Sequence, residues 1–283
     1  MLGTDLMKRL GVERVESCGA DLPELDITDP DAVMDVFEDL RPTVVVNCAA
    51  WTDVDGAESH RADAMRVNGE GAGNVAAAAW AVDARLLHLS TDFVFDGTKV
   101  GPYVEDDPPH PSSVYGESKL AGERAVAGAA RDYLIVRTSW LYGAAGRNFV
   151  ATIRRLAVER DELQVVDDQR GCPTWTRDLA NAIVALLATD PSTALGEGVG
   201  GIVHAAGSGV CSWYDFACEI VKRSGLATPV RPIKSAEMPR PARRPANSAL
   251  DCSRLAQLTG FHFPHWRESL AAFLAGLDRP DET

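Results

Sequence analysis

Basic residues are scarce in this sequence, because 28 Lys and Arg side chains stand against 41 Asp and Glu side chains and give a net charge of −13. No long block of Lys and Arg is present, although a Pro- and Arg-rich loop is expected at 238–245. This balance argues against duplex nucleic acid and anionic membranes as partners, since both attract basic proteins. A local basic pocket for a phosphorylated small molecule is still compatible with the composition.

The sequence also lacks paired cysteines and long apolar runs. Its six cysteines are scattered, with no C-x-x-C pair and no His at zinc-finger spacing, so we expect reduced thiols in a cytoplasmic protein. The longest run of small apolar residues, at 75–82, is too short to span a bilayer and consists mainly of Ala. We expect no signal peptide.

Strands and helices alternate along the chain. The 283 residues, 46% of them apolar, are enough for one large core or for a main domain with a smaller one. Alternation of this kind indicates parallel pairing and right-handed crossovers, and therefore an α/β, Rossmann-like doubly wound parallel sheet. We predict a main domain at 1–142 plus about 172–190, and a smaller, partly interleaved C-terminal domain at 143–171 and 191–283.

Individual elements follow from hydrophobic periodicity and from Gly and Pro positions. The predicted strands are 14–17, 43–50, 86–91, 133–138, 163–166 and 202–205. The predicted helices are 1–10, 29–40, 62–82, 115–126, 148–159, 176–188, 213–224, 253–259 and 266–277. A turn-rich break is predicted at 196–201. The apolar, β-branched strand at 43–50 is expected to be buried on both faces.

Polar residues follow three of the predicted strands, at 47–52, 90–92 and 139–143. Each group alone is typical of a loop that begins with a capping hydroxyl. The carboxyl ends of parallel strands meet at one edge of a sheet, and ligands bind in the crevice there. The three groups together therefore predict a binding site.

Tyr115 and Lys119 lie four residues apart near a predicted helix start, so they share one face and can point at one reacting group. Pro111 and the prolines before it prevent the helix from extending upstream. A neighbouring cation favours phenolate, so we expect the pKa of Tyr115 to move towards neutrality. A lone Tyr-x-x-x-Lys is more often a half-buried Tyr beside a solvated Lys. The polar strand ends favour the catalytic interpretation here.

Together these motifs resemble the extended short-chain dehydrogenase/reductase superfamily and, within it, the dTDP-4-dehydrorhamnose reductase family. The resemblance spans essentially the whole chain, and the matching runs are 47–58, 90–97, 115–123, 137–142, 167–174 and 244–248. The Ser-Thr-Asp and Arg-Pro-x-Asn-Ser runs distinguish this branch from epimerases and dehydratases. The resemblance implies NAD(P)H-dependent reduction of the 4-keto group of dTDP-4-dehydrorhamnose to dTDP-L-rhamnose.

The resemblance also implies roles for individual residues and for the two domains, the main one binding NAD(P) and the smaller one the sugar nucleotide. The implied catalytic residues are Thr91, Tyr115 and Lys119. The implied contacts of NADPH or NADH are Met1, Leu2, Asp26, Ile27, Ala49, Ala50, Thr52, Tyr115 and Lys119. The implied contacts of the dTDP-sugar are Thr91, Asp92, Trp140, Asn148 and Arg244. Mg²⁺ is an additional candidate cofactor.

The chemistry agrees with these roles. Negative charge develops on the sugar carbonyl oxygen as hydride reaches the carbon, so Tyr115 would donate a proton there and Thr91 a hydrogen bond. Lys119 would hold the nicotinamide ribose.

The start of the chain departs from the family, which begins with a strand and a Gly-x-x-Gly-x-x-Gly turn that holds the cofactor pyrophosphate. Residues 1–3 resemble only the end of that turn, so we expect the first strand and two glycines to be missing. This departure favours one alternative, a noncatalytic NADP-binding regulatory subunit resembling the methionine adenosyltransferase β subunit, whereas the intact Thr91, Tyr115 and Lys119 favour an enzyme. A reductase of another dTDP-4-keto-6-deoxysugar is the second alternative. The choice between NADPH and NADH, and between monomer and homodimer, stays open.

Overall fold

Four parallel strands form the main sheet of the protein. A computed structural model describes residues 1–189 and 201–277 of the chain. In chain order its strands are β1 (Val44–Asn47), β2 (Arg85–Thr91), β3 (Tyr133–Thr138), β4 (Leu141–Tyr142), β5 (Leu163–Val166), β6 (Arg170–Gly171), β7 (Thr174–Trp175), β8 (Gly201–His204), β9 (Cys211–Ser212) and β10 (Val230–Ile233). The main sheet has the order β1-β2-β3-β8, and each of its pairings is parallel.

Helices cover both faces of this sheet, which confirms the predicted α/β, Rossmann-like fold. The α-helices of the described ranges are α1 (Leu2–Val12), α2 (Pro30–Leu40), α3 (Val54–Ser59), α4 (Arg61–Met65), α5 (Ala72–Ala81), α6 (Val114–Ala129), α7 (Phe149–Glu159), α8 (Thr176–Leu187), α9 (Trp213–Arg223), α10 (Ser253–Thr259) and α11 (Trp266–Leu277). A π-helical turn, Arg66–Gly71, joins α4 to α5. Single 3-10 turns occur at Asp92–Val94 and Ser235–Glu237.

Most predicted elements agree with the structure to within a few residues, and the helix predicted at 62–82 is the α4, π-turn and α5 series. The strand predicted at 14–17 is wrong, because those residues are exposed and no strand of the described ranges pairs with them. Arg14 there has a positive φ of 57°, which a strand does not tolerate. The turn predicted at 196–201 lies outside the described residues except for Gly201, which begins β8.

Strand β1 lies at an edge of the sheet, where it pairs with β2 alone among the described strands. Val44 is exposed and the next two residues are half-buried. The prediction that this strand is buried on both faces is therefore wrong for Val44, and Val45 and Val46 are only half-buried although they pack against the cores on the two opposite faces. No strand precedes β1 in the part of the chain that the structure describes, and the first element is helix α1.

The two faces of the sheet carry separate apolar cores, because successive strand residues point to opposite faces. Leu87 and Leu89 of β2 pack in one core with the buried stripe of α1, formed by Leu2, Leu6 and Leu10. The leucines of α1 occur every four residues, as the predicted amphipathic helix requires. Helices α8 and α10 complete this core.

The opposite face of the sheet packs against α2, α5 and α6. Helix α2 begins where the sequence predicts, since Asp29 accepts hydrogen bonds from two backbone amides and Pro30 occupies the first helical position. Val33 and Phe37 of α2 are its buried residues.

A further apolar core lies within the C-terminal half and contains the aromatic rings of Tyr142, Phe216 and Trp266. Helices α7, α9 and α11 contribute most of its residues. Strand β8 lies inside the predicted smaller domain, yet it pairs with β3 of the main sheet. The division into two domains stays a prediction. Among the described helices, none has the length and apolarity that crossing a membrane requires.

Replacing Gly122 by Ala is expected to destabilise the protein by about 1–3 kcal/mol, the scale of overpacking. A Cβ atom there would clash with the Asn68 carbonyl oxygen, where α6 meets the π-turn. The matched control is Gly128→Ala on the same helix, where a Cβ has no neighbour within 4 Å. This control should stabilise by about 0.5–1 kcal/mol, because Ala is the better helix former. Urea unfolding measures both, and stabilisation of both variants would contradict the packing role of Gly122.

Candidate active site

Helix α6 carries Tyr115 and Lys119 to the carboxyl end of β2. The Ser113 hydroxyl caps the helix by accepting a hydrogen bond from the Gly116 amide at 3.2 Å. Gly116 is required because a Cβ there would clash with the Phe93 carbonyl oxygen. The start of α6 therefore contacts the 3-10 turn that follows β2.

Lys119 is buried, with only 2% of its surface exposed. Its ammonium donates a hydrogen bond to the Leu89 carbonyl of β2 at 2.6 Å. Burial lowers the pKa of Lys119 to about 8, although the negative charge of Glu123 acts in the opposite direction. Lys119 is therefore mostly protonated at pH 7 and loses its charge in mildly alkaline solution.

Tyr115 is half-buried, and its ring meets the edge of Phe93 at a centroid distance of 5.5 Å. Burial raises the pKa of Tyr115 to about 12, against the lowering effect of a hydrogen bond with Thr91, and the Asp92 charge adds to the rise. The expectation that Lys119 moves this pKa towards neutrality is wrong, because desolvation of the phenolate dominates. The phenol consequently keeps its proton throughout the physiological pH range.

Thr91 and Asp92 end β2 beside this phenol. The Thr91 hydroxyl donates to Asp92 Oδ1 at 3.0 Å and accepts from the Phe93 amide at 3.2 Å. Asp92 is buried, and its Oδ2 has no hydrogen-bond partner among the described residues. Burial raises the pKa of Asp92 to about 6, with the Ser248 and Thr91 hydroxyls opposing the rise. An unsatisfied buried acceptor of this kind suits a ligand hydroxyl.

Trp140 is held from several sides. Its indole stacks on Trp213 with a centroid distance of 3.5 Å and an interplanar angle of 3°, and its Nε1 donates to Ser248 Oγ at 3.3 Å. A Cβ on Gly171 would clash with the same indole. The backbone φ of Trp140 is 49°, a strained value for a non-glycine residue, and such strain often marks a functional site.

The ring of Phe93 contacts both Arg244 and Tyr115. The Arg244 guanidinium is 5.9 Å from the centroid of that ring. Asp55 pairs with Arg244 at 3.0 Å and holds the loop that carries it by accepting from the Ala242 amide at 3.2 Å. Asp55 belongs to the motif at 47–58, but the sequence gives no sign of its partner almost two hundred residues away.

Asn148 is placed differently from the other predicted substrate residues. Its Oδ1 caps α7 by accepting from the Ala151 amide at 3.0 Å, and its Nδ2 donates to the Gly143 carbonyl at 2.8 Å. Met1 contacts the same loop, because a Cβ on Gly146 would lie 3.8 Å from the Met1 Cβ. Asn148 thus lies beside the start of α1, and its predicted contact with the substrate stays a prediction.

Two asparagines fix the loop after β1. Asn47 Oδ1 accepts from the Ala49 amide at 3.1 Å, and Asn68 Oδ1 accepts from the Trp51 amide at 2.8 Å. Asn68 Nδ2 also donates to Ser118 Oγ of α6 at 2.9 Å. The π-turn therefore connects the loop to the helix of Tyr115 and Lys119, a role that sequence analysis did not assign to Asn68.

The predicted cofactor residues outside α6 differ in their exposure. Ala49, Thr52 and Asp26 are exposed, Ala50 and Ile27 are half-buried, and the side chain of Leu2 is in the core, which leaves its backbone for a ligand contact. Hydrogen bonds from the Thr28 amide and hydroxyl lower the pKa of Asp26, so this carboxylate is ionised at neutral pH.

A nicotinamide nucleotide fits this donor set. An ammonium carries three N–H donors, and the Leu89 carbonyl takes one of those on Lys119, so a ribose hydroxyl can take another. The small side chains of Ala49 and Ala50 leave room for a flat ring at the end of β1. In the described ranges, no group of three or more His, Cys, Asp or Glu side chains could hold a metal ion, so the Mg²⁺ expectation gains no support.

Known proteins resemble this chain over nearly its whole length. The family model of the RmlD substrate binding domain matches residues 1–279. A dTDP-4-dehydrorhamnose reductase from Streptomyces griseus is 48% identical over 273 residues, which cover 95% of this chain and 88% of the relative. The structure of a dTDP-4-dehydrorhamnose reductase from Clostridium acetobutylicum has a TM-score of 0.92 and 41% identity, covering 98% of this chain and 96% of that one.

A second solved structure carries a nucleotide. It is a dTDP-4-dehydrorhamnose reductase from Bacillus anthracis in complex with NADP, with a TM-score of 0.90 and 39% identity, covering 97% of this chain and 95% of that one. The agreement extends from sequence motifs to the complete fold. The chain therefore belongs to the family of the RmlD substrate binding domain, in which the relatives described above are dTDP-4-dehydrorhamnose reductases.

Proposed function

We propose that this protein is an NAD(P)H-dependent oxidoreductase that reduces the 4-keto group of dTDP-4-dehydrorhamnose and forms dTDP-L-rhamnose. The observation that carries the proposal is the group of Thr91, Asp92, Tyr115 and Lys119 at the carboxyl end of β2. Relatives of 39–48% identity with the same activity in their names support it. A nicotinamide cofactor, when bound, supplies the hydride to the sugar carbonyl carbon.

The residues of this chain supply the proton and hold the charge. Tyr115 donates its proton to the carbonyl oxygen as that oxygen becomes an alkoxide, and its pKa of about 12 keeps it protonated until then. An alkoxide is more basic than this phenolate, so the transfer runs downhill. Thr91 donates a hydrogen bond to the same oxygen. To do so, its hydroxyl gives up the hydrogen bond that it donates to Asp92 in the ligand-free structure. Lys119, buried and charged, holds the ribose and stabilises the resulting phenolate.

The sugar nucleotide lies on the other side of these groups. The free Oδ2 of Asp92 accepts a sugar hydroxyl, and the indole of Trp140 supplies an apolar wall. Arg244 reaches the diphosphate by exchanging its pair with Asp55 for the ligand, because phosphate oxygens match the guanidinium fork. Asn148, which caps the start of α7, lies towards the same diphosphate.

NADPH is the nucleotide that we propose, supported by the NADP of the Bacillus anthracis relative. The enzyme works in the cytoplasm, in agreement with its free cysteines. The noncatalytic alternative leaves the Thr91 hydroxyl and the transferable proton of Tyr115 without a role, because cofactor binding alone needs neither, and on this ground we prefer the enzyme.

The test is an assay of the purified protein with dTDP-4-dehydrorhamnose and either NADPH or NADH. We expect absorbance at the reduced-nicotinamide band to fall and dTDP-L-rhamnose to appear by chromatography, faster with NADPH. A second dTDP-4-keto-6-deoxysugar distinguishes the other reductase alternative. Tight NADPH binding without turnover of either sugar would contradict the proposal and favour a regulatory subunit.

A further inference from the structure

A buried carboxylate lies behind the proposed catalytic residues, one helical turn beyond Lys119. Tyr115, Lys119 and Glu123 are spaced four residues apart on α6, so they share the helix face that packs on the sheet. The Glu123 side chain is 5% exposed. It does not reach the ligand surface, and none of the roles described above uses it.

Glu123 joins α6 to two strands at once. Its Oε1 accepts a hydrogen bond from Ser90 Oγ of β2 at 2.5 Å. Arg137 of β3 binds both carboxylate oxygens, with Nε at 2.8 Å from Oε1 and an Nη at 2.7 Å from Oε2. This bidentate geometry is specific in direction as well as favourable in energy.

The two residues that bind Glu123, Ser90 and Arg137, lie next to the proposed reacting groups in the strands. Ser90 precedes Thr91 in β2, and Arg137 precedes Thr138, which is the register partner of Thr91 in β3. The single carboxylate of Glu123 therefore fixes how far the helix that carries Lys119 lies from the strand that carries Thr91.

The charges around Lys119 also indicate a role for Glu123. Lys119 and Arg137 are both buried cations, and Glu123 is the acid that raises the pKa of Lys119. The other ionisable groups around Lys119 are Cys48 after β1 and His88 of β2, and burial keeps both of them uncharged near neutral pH. The charge on Lys119 consequently depends on Glu123 more than on any other side chain named here.

We propose that Glu123 is a positioning residue of the reductase site, which through Ser90 and Arg137 holds Lys119 at its working distance from Thr91 and keeps it charged. This inference rests on the proposed reductase function. It assigns Glu123 no contact with substrate or cofactor, so the expected signature is a loss of kcat without a change in KM for the sugar nucleotide.

The test compares Glu123→Gln with Glu117→Gln in the full chain. Glu117 is on the same helix but pairs with Arg61 at the surface. Its variant therefore also removes one negative charge, but at a position outside the site. Glu123→Gln should lower kcat about 10- to 100-fold, the scale of a small misplacement of reacting groups, with KM unchanged. In the ligand-free protein, NMR titration of the Lys119 side chain should give a lower pKa than in wild type, whereas Glu117→Gln should change neither quantity.

A second variant is needed in case Glu123→Gln does not fold, because that change leaves the buried Arg137 with a weaker partner. Ser90→Ala retains the Glu123–Arg137 pair and removes only the connection to β2. It should lower kcat several-fold with KM unchanged.

Two results would overturn the inference. One is a folded Glu123→Gln with wild-type kcat and wild-type Lys119 titration, and the other is a Ser90→Ala enzyme with wild-type kcat. Failure of the proposed function would be seen separately, because the wild-type protein would then reduce no sugar nucleotide. The NMR titration would still report whether Glu123 controls the charge of Lys119.

Discussion

Replacing Tyr115 by Phe is expected to lower kcat at least about 10²-fold, because the variant loses the proton that the alkoxide requires. Phe retains the aromatic ring and therefore the edge contact with Phe93 at 5.5 Å. We thus expect nearly unchanged thermal stability and NADPH affinity. Steady-state kinetics, thermal melting and calorimetry with NADPH together separate lost chemistry from lost binding.

The matched control is Tyr133→Phe, which removes a half-buried phenol at the start of β3, the end of the strand that lies away from the site. This control should keep wild-type kcat. If Tyr115→Phe retained more than about a tenth of wild-type turnover, a group other than Tyr115 would be the general acid, given the usual magnitude of acid catalysis.

Local spacing was enough to predict the helix face that carries the proposed catalytic pair. Tyr115 and Lys119 differ by four positions, and Ser113 caps the helix just before them, so the sequence determines their common direction. The pKa of Tyr115 could not be predicted in the same way. It depends on how completely the packed 3-10 turn and Asp92 remove the phenol from water, which is a property of tertiary contacts.

The residues that sequence analysis missed are those whose partners are distant in the chain. Trp213 stacks on Trp140, and Asn68 binds the backbone of Trp51 and the hydroxyl of Ser118. Neither Trp213 nor Asn68 has a local pattern that distinguishes it from an ordinary core or helix residue. The strand predicted at 14–17 failed for the converse reason, since this short segment contains one apolar residue, Val15, and no strand of the described ranges pairs with it.

Three groups of the site lose their protons at well-separated pH values. The pKa of Asp92 is about 6, that of Lys119 about 8 and that of Tyr115 about 12. Between pH 6 and 8 the site therefore holds a carboxylate, an ammonium and a neutral phenol, which is the combination that the proposed ketone reduction uses. Burial causes all three departures, and it acts in opposite directions on acids and on a base.

Replacing Lys119 by Met is expected to abolish detectable reduction and yet to stabilise the protein at pH 7. Burial lowers the pKa of Lys119 from 10.5 to about 8, which corresponds to a cost of about 3 kcal/mol in the folded state at about 1.4 kcal/mol per pKa unit. The lost hydrogen bond to the Leu89 carbonyl offsets about 1 kcal/mol of the gain. The free energy of unfolding should therefore rise by about 2 kcal/mol, as measured in urea.

The pH dependence of this gain distinguishes relief of a buried charge from better packing. Below pH 8 both folded and unfolded wild-type chains hold the Lys119 proton, so the cost of burying the charge is complete there. Between pH 8 and 10.5 the folded chain gives up the proton that the unfolded chain still binds, so wild-type stability recovers and the advantage of Lys119→Met shrinks. The control is Lys8→Met on the exposed face of α1, which should change stability by less than about 0.5 kcal/mol at any of these pH values. A gain for Lys119→Met that is equal at pH 7 and pH 10 would show that hydrophobic packing, and not the buried charge, is responsible.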